Sequence, residues 1–95
     1  MTNDPLGAER RLRVSPSVYA RAFGNELVLL DFGRGEYFGL DEVGAEIWRA
    51  IAAGETLGAI ADRLADRYEV TRSRALDDIE QLAAHMLVQG LLLTS

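Results

Sequence analysis

Short apolar runs separated by glycine dominate the region between residues 14 and 40. β-Branched and aromatic residues recur in these runs, which is typical of β-strands. The pattern predicts three strands, over Ser17–Phe23, Leu27–Phe32 and Glu36–Leu40. The breaks between them, Gly24-Asn25 and Gly33-Arg34-Gly35, suit hairpin turns because glycine supplies the positive φ of tight connections. We therefore expect an antiparallel meander.

From Asp41 onward the apolar residues recur every three to four positions, which is the period of an amphipathic helix. Three helices are predicted, with Asp41, Thr56 and Thr71 as their N-caps. Gly54 ends the first helix, and the third runs to about Gln89 before Gly90. The expected buried positions are Val43, Ile47, Trp48 and Ile51, then Leu57, Ile60, Ala61, Leu64 and Tyr68, then Leu76, Ile79, Leu82, Ala83 and Met86. Leu91, Leu92 and Leu93 are apolar enough to return to the core.

A three-stranded meander cannot bury its apolar face alone, so the three helices should pack on it. The second and third helices, joined by a tight turn, have the geometry of a helix-turn-helix pair. The predicted fold class is therefore α+β and winged helix-turn-helix-like, with a three-stranded antiparallel sheet followed by three helices. One domain is expected over residues 14–95, preceded by a flexible N-terminal tail over residues 1–13.

Composition and charge exclude several classes of function. A chain of 95 residues builds one modest core, and the absence of cysteine excludes disulfides, thiolate metal sites and cysteine nucleophiles. The net charge of −5, with arginines scattered along the chain, opposes binding to phosphate backbones. Neither a secretory signal nor an apolar run of about 20 residues is present, so a cytoplasmic location without membrane insertion is expected.

No candidate for catalysis or metal binding emerges from the side chains. His85 is the single histidine and has no nucleophile or second base at a suitable spacing. Asp77, Asp78 and Glu80 would point in different directions around a helix and could not converge on one ion. The glycines form no phosphate-binding motif. We predict no enzymatic activity, no cofactor and no metal.

The third predicted strand contains residues suited to recognition. Tyr37 and Phe38 point to opposite faces of the strand, and the sequence leaves open which one faces the core and which a ligand. Gly39 lies inside the strand, where glycine marks the close approach of another backbone.

The order of motifs resembles that of PqqD-like proteins, also called RiPP recognition elements, from about Val14 to Leu92. The matching positions are Val14-Ser15-Pro16, Leu30-Asp31, Gly35 to Leu40, Gly44, Ile47-Trp48, Gly54, Thr56-Leu57, Ile60-Ala61, Leu64, Asp78-Ile79, Leu82 and Gly90-Leu91-Leu92. Within this family the chain is most similar to the stand-alone leader-binding protein of split lasso-peptide B systems, and less similar to the branch of the PQQ pathway.

The resemblance implies that the leader of a ribosomally made precursor peptide binds as an added strand. It would lie against the third strand, in the cleft beside the third helix. The implied contacts are Glu36, Tyr37, Phe38, Gly39, Leu40, Arg74, Asp78, Ile79, Leu82 and His85. The implied partners are this precursor, a transglutaminase-like cysteine protease that removes the leader, and an ATP-dependent macrolactam-forming cyclase.

Three alternatives stay open at the level of sequence. One is a winged-helix DNA-binding regulator, motivated by Arg63, Arg67, Arg72 and Arg74 near the second and third helices. Another is a peptide chaperone of the PQQ-biosynthesis type. The last is an assembly subunit that uses the same edge strand to pair with a protein partner or with its own copy.

Overall fold

A computed structural model describes residues 7–94. Its elements are β1 (Leu12–Val14), β2 (Val18–Phe23), β3 (Glu26–Asp31), β4 (Glu36–Leu40), α1 (Glu42–Ala52), α2 (Leu57–Tyr68), α3 (Arg72–Val88) and β5 (Leu92–Thr94). Strands β2, β3 and β4 form an antiparallel sheet in that order, and β1 pairs with β5 in a separate antiparallel ribbon. The predicted α+β class, with three meander strands followed by three helices, is confirmed. The β1–β5 ribbon was not predicted.

The register of the sheet separates an inner from an outer face. Leu29 of β3 lies between Ala20 and Phe38, whereas the next residue, Leu30, lies between Tyr19 and Tyr37. Leu29 is fully buried and Phe38 packs against the core, so this set of residues faces the helices. Tyr37 is 75% exposed. The question that the sequence left open is therefore answered: Phe38 faces the core and Tyr37 faces outward.

All three helices begin at their predicted caps. The side chains of Asp41, Thr56 and Thr71 each accept a hydrogen bond from the backbone N–H three residues further on, at 2.8, 3.1 and 3.1 Å. These bonds satisfy N–H groups that have no partner within the helix. α1 ends just before Gly54, as predicted, and α3 ends at Val88, one residue before the predicted Gln89.

The core lies between the inner face of the sheet and the three helices. Most of the predicted apolar positions are buried, and they include the largest fully buried side chains of the helices: Ile51, Leu57, Ile60, Ile79 and Met86. Leu91 and Leu92 are buried as well, which confirms that the segment after Gly90 returns to the core. Tyr68 departs from its predicted burial because it lies at the end of α2, where 40% of its surface is exposed.

Part of the segment that the sequence assigns to a tail packs on the domain. Leu12 is only 3% exposed, and the backbone carbonyls of Ala8 and Arg10 accept hydrogen bonds from the N–H groups of Gly58 and Leu57, at 2.7 and 3.0 Å. These N–H groups belong to the first turn of α2 and have no helical partner, so a passing backbone satisfies them. Residues 1–6 of the predicted tail lie outside the described residues.

Candidate functional site

β4 is an outer strand of the three-stranded sheet. Its residues pair with β3 on one side, from Asp31↔Glu36 to Leu27↔Leu40, and no described strand pairs with its other side. An edge of this kind presents a row of N–H and C=O groups that can accept a further strand.

The buried carboxylate of Asp31 fixes the turn that leads into β4. It accepts hydrogen bonds from the Ser17 hydroxyl at 3.2 Å and from the Gly33 N–H at 3.0 Å. The Asp31 carbonyl accepts a third bond from the N–H of Gly35 at 2.8 Å. Gly35 adopts a φ of 68°, which favours glycine. These bonds hold the start of the edge strand in one position.

The predicted contacts on the third helix form a stripe along α3. Arg74, Asp78, Leu82 and His85 are spaced by four, four and three residues, which places them on one side of the helix; we call them the α3 stripe. Arg74, Asp78 and His85 are exposed, and the Arg74 Nε lies 3.6 Å from the Asp78 carboxylate. Leu82 is half-buried against the core. Ile79, also predicted, is 1% exposed and contributes mainly to the core.

Residues on both sides of β4 lie near α3. At one end, the guanidinium of Arg34, in the β3–β4 turn, lies about 3.6 Å from where a Cβ of Gly90 would be, just beyond the end of α3. At the other end, Val43, three residues after β4, lines the same pocket as Asp78. The residues that flank β4 therefore lie near α3, one beyond its C-terminal end and the other beside its N-terminal half.

An apolar pocket lies beside the N-terminal half of α3. Its volume is about 150 Å³, and an apolar cavity of roughly that size accommodates a benzene ring. Its lining is Val43, Ile47, Leu64, Tyr68, Val70, Ala75, Asp78 and Ile79. Asp78 and Ile79 were among the predicted contacts, whereas the others were missed as site residues. The exposed apolar residues Tyr68 and Val70 at the α2–α3 turn were the available signal.

The outer face of the sheet exposes several aromatic side chains, and three of them lie at the end next to the β3–β4 turn. Tyr19, Phe32 and Tyr37, which we call the outer aromatic patch, are 65%, 67% and 75% exposed. The rings of Tyr19 and Phe32 meet edge to face, with 5.3 Å between their centroids. Large exposed apolar groups on one face are typical of protein interaction surfaces. This patch was not predicted from the sequence, because Tyr19 and Phe32 converge only through sheet pairing.

A larger pocket, of about 500 Å³, lies between the β2–β3 turn, α1 and α2. Four of its six charged side chains form ion pairs, since Arg67 contacts Glu46 at 2.8 Å and Arg63 contacts Glu55 at 2.7 Å. The hydrogen bond that the Arg63 guanidinium donates to the Glu55 carboxylate raises the pKa of Arg63 above its ordinary value. Apart from Gly24 and Ala50, the residues that line this pocket are polar or charged.

Residues 7–94 contain neither a cluster of metal ligands nor a helix that could span a membrane. No group of three or more histidine, aspartate or glutamate side chains in this range is arranged to hold a metal ion. None of the helices described in this range is long and apolar enough to cross a membrane.

Comparison with known proteins places this geometry in a family. The family model for coenzyme PQQ synthesis protein D (PqqD) matches residues 26–92. TbiB1 in complex with the TbiA(beta) leader peptide is 31% identical over 84% of this chain and 93% of its own, with a TM-score of 0.80. Lasso peptide synthetase B1 complexed with the leader peptide is 30% identical over 87% and 98%, with a TM-score of 0.83.

No curated protein matches the chain. The family match begins at the first residue of β3 and ends at the first residue of β5, so it includes the open edge, the α3 stripe and the apolar pocket. It confirms the resemblance drawn from the motif order. This chain belongs to the PqqD family.

Proposed function

We propose that this chain binds the N-terminal leader of a ribosomally made precursor peptide, as a strand added to the open edge of β4 beside α3. The observation that carries the proposal is this unpaired edge, whose leading turn is held in place by Asp31. Two similar structures, each at least 30% identical, are complexes with leader peptides, which supports the same use of this chain.

Backbone and side chains would contribute differently to binding. Each backbone hydrogen bond contributes about 0.5–1.5 kcal/mol net and sets the register without reading sequence. Burying one large apolar side chain contributes about 1.5–3 kcal/mol, and the apolar pocket accommodates a side chain of ring or leucyl size. Selectivity therefore comes from an apolar anchor and from leader charges that match Arg74 and Asp78.

The test is a titration with fluorescently labelled leaders: those of short peptides encoded near this gene, and the TbiA(beta) leader of the similar complex as a reference. Saturable binding at micromolar concentration or tighter is expected, which corresponds to about 8 kcal/mol or more. A leader that carries N-methyl groups at alternate backbone positions keeps its side chains but cannot form the ladder. The leader whose N-methyl groups replace the N–H groups that face β4 should bind at least tenfold more weakly.

Two matched variants test the helix side of the cleft. Asp78→Arg reverses a charge on the α3 stripe, whereas Asp77→Arg makes the same change at an exposed neighbour on another side of the helix. We expect at least a tenfold loss of leader affinity for Asp78→Arg, and less than about twofold for Asp77→Arg. Equal affinities for the two variants, or no binding by the unmodified chain, would contradict the proposal.

Delivery of the bound leader to a protease and a cyclase is the second step of the proposal. A leader strand on the β4 edge leaves Tyr19 and Phe32 of the outer aromatic patch exposed, so an apolar partner surface could bind there at the same time. Tyr19→Ser combined with Phe32→Ser should keep leader affinity and slow leader removal by the cysteine protease. Val88→Ser, at an exposed apolar residue of α3, serves as the control.

The alternatives make different predictions. Arg63, Arg67, Arg72 and Arg74 each have an acidic partner within 4 Å: Glu55, Glu46, Asp62 and Asp78, respectively. This pairing and the net charge of −5 disfavour DNA binding, so no gel shift of duplex DNA is expected at physiological salt. A chaperone of the PQQ type would prefer the PQQ precursor over a lasso precursor in direct competition. Self-pairing would appear as concentration-dependent sedimentation without peptide.

A further inference from the structure

Gly39 occupies the middle of β4, although the isolated fold makes no demand for glycine there. Positive φ values among the described residues are confined to Gly24, Gly35, Gly54, Gly90 and Glu69, so Gly39 has backbone angles that any residue can adopt. A Cβ added at Gly39 would meet no atom within 4 Å. Glycine inside a strand lowers stability relative to residues with a side chain. The free domain gains nothing from glycine at this position.

The missing side chain leaves a gap on the outer face of the sheet. Gly39 pairs with Val28 of β3, which is half-buried, and it follows two residues after the exposed Tyr37 on the same face. No neighbouring side chain fills the gap, and it opens directly onto the unpaired edge of β4.

We propose that Gly39 determines leader specificity by leaving room for one bulky side chain of the bound strand. This inference rests on the proposed addition of the leader to β4. Residues directly opposite each other in paired strands point to the same face, with Cβ atoms about 4.5–5.5 Å apart. The leader residue opposite Gly39 therefore points outward, lies across Gly39 towards Val28, and packs beside the Tyr37 ring.

The leader would then be read on both faces of the strand that it forms. Its residues on either side of the Gly39 position point inward, to the cleft between β4 and the α3 stripe. The residue opposite Gly39 is selected on the outer face for size, because only there does β4 lack a side chain. The edge of β4 therefore fits a leader in which one bulky residue lies between two residues whose side chains point inward.

The test compares Gly39→Val with the unmodified chain, using as probe the fluorescent leader that the unmodified chain binds most tightly in the titration above. We expect leader affinity to fall at least tenfold, and the melting temperature to stay unchanged or rise because valine suits a strand. Gly39→Ala should cause a smaller loss in the same direction. Gly7→Val is the matched control, since a Cβ at Gly7 also meets no atom within 4 Å, and it should leave affinity unchanged.

An alanine scan of the leader separates a specificity role from a structural one. At one leader position, alanine should weaken binding to the unmodified chain but not to Gly39→Val, because the variant has already lost that contact. Full affinity of Gly39→Val, or a loss that couples to no leader position, would overturn the inference while the proposed function stands. Failure of the unmodified chain to bind the leader would overturn both.

Discussion

Asp31 lies where the loop after β1 meets the hairpin that carries β4. Its carboxylate is 3% exposed and bridges two segments, through Ser17 on one side and Gly33 on the other. A buried acceptor that satisfies two donors has a larger effect than one hydrogen bond, because its loss leaves both donors unpaired. One side chain therefore supports both the stability of the domain and the position of its open edge.

Replacement of Asp31 by alanine should lower the free energy of unfolding by about 1–3 kcal/mol. The Ser17 hydroxyl and the Gly33 N–H would lose their shared acceptor, and the β3–β4 turn would loosen. Urea denaturation measures the effect. Asp31→Asn, which retains an acceptor oxygen, should lose less, and Asp66→Ala, at an exposed position on α2, should change stability by no more than about 0.5 kcal/mol. Similar stabilities of Asp31→Ala and Asp66→Ala would refute this role.

The sequence predicted residues whose roles depend on near neighbours in the chain. The N-caps Asp41, Thr56 and Thr71 were identified correctly because each bonds an N–H only three residues away. The role of Asp31 was not predicted, since its partner Ser17 lies fourteen residues earlier. Phe38 and Tyr37 could be assigned to opposite faces, but the choice of face required the packing of the helices.

At the level of elements, the two short strands of the β1–β5 ribbon could not be predicted from the pattern of apolar and polar residues. β1 and β5 have three residues each and pair residue 12 with residue 94. A three-residue strand has too few positions to show an alternating pattern, and its stability comes from the partner strand. The longer strands and helices were found within one or two residues of their observed ends, because their periodic patterns extend over five residues or more.

The β5 strand should stabilise the whole domain through one face only. Leu92 is 1% exposed, whereas Leu93, next to it, points to the other face and is half-buried. Leu92→Ala is expected to lower the free energy of unfolding by about 2–5 kcal/mol, and Leu93→Ala by about 1 kcal/mol or less. Thermal or urea unfolding of the Leu92→Ala and Leu93→Ala variants compares the same chemical change on the two faces of β5. Equal losses would show that β5 is not held in the observed register.

At the scale of the whole molecule, the candidate site combines residues from several elements of the chain. The open edge belongs to β4, the stripe to α3, and the apolar pocket to α1, α2 and α3 together. The sequence indicated the edge and the stripe through the family resemblance, but the pocket and the outer aromatic patch join residues that are distant in the chain. Their shapes follow from the packing of complete elements, which no local pattern describes.

Leader binding should protect one edge of the sheet from hydrogen exchange and leave the other unchanged. In the free protein, alternate amides of β4 have no β3 partner and should exchange rapidly, as should those on the open side of β2, the opposite edge. Saturation with leader should slow exchange at β4, because those amides become bonded to the guest strand. Protection at β2 instead of β4 would show that the peptide binds the opposite edge of the sheet and would contradict the proposal.

The β1–β5 ribbon places the first and last described strands side by side, with Leu12 paired to Thr94. A short linker could join these two ends, and the chain could then be reopened at the exposed turn of Gly24 and Asn25. Such a circular permutant would preserve β4 and α3 without a break. New termini at that hairpin would offer attachment points for a reporter, well separated in sequence from the residues that receive the peptide.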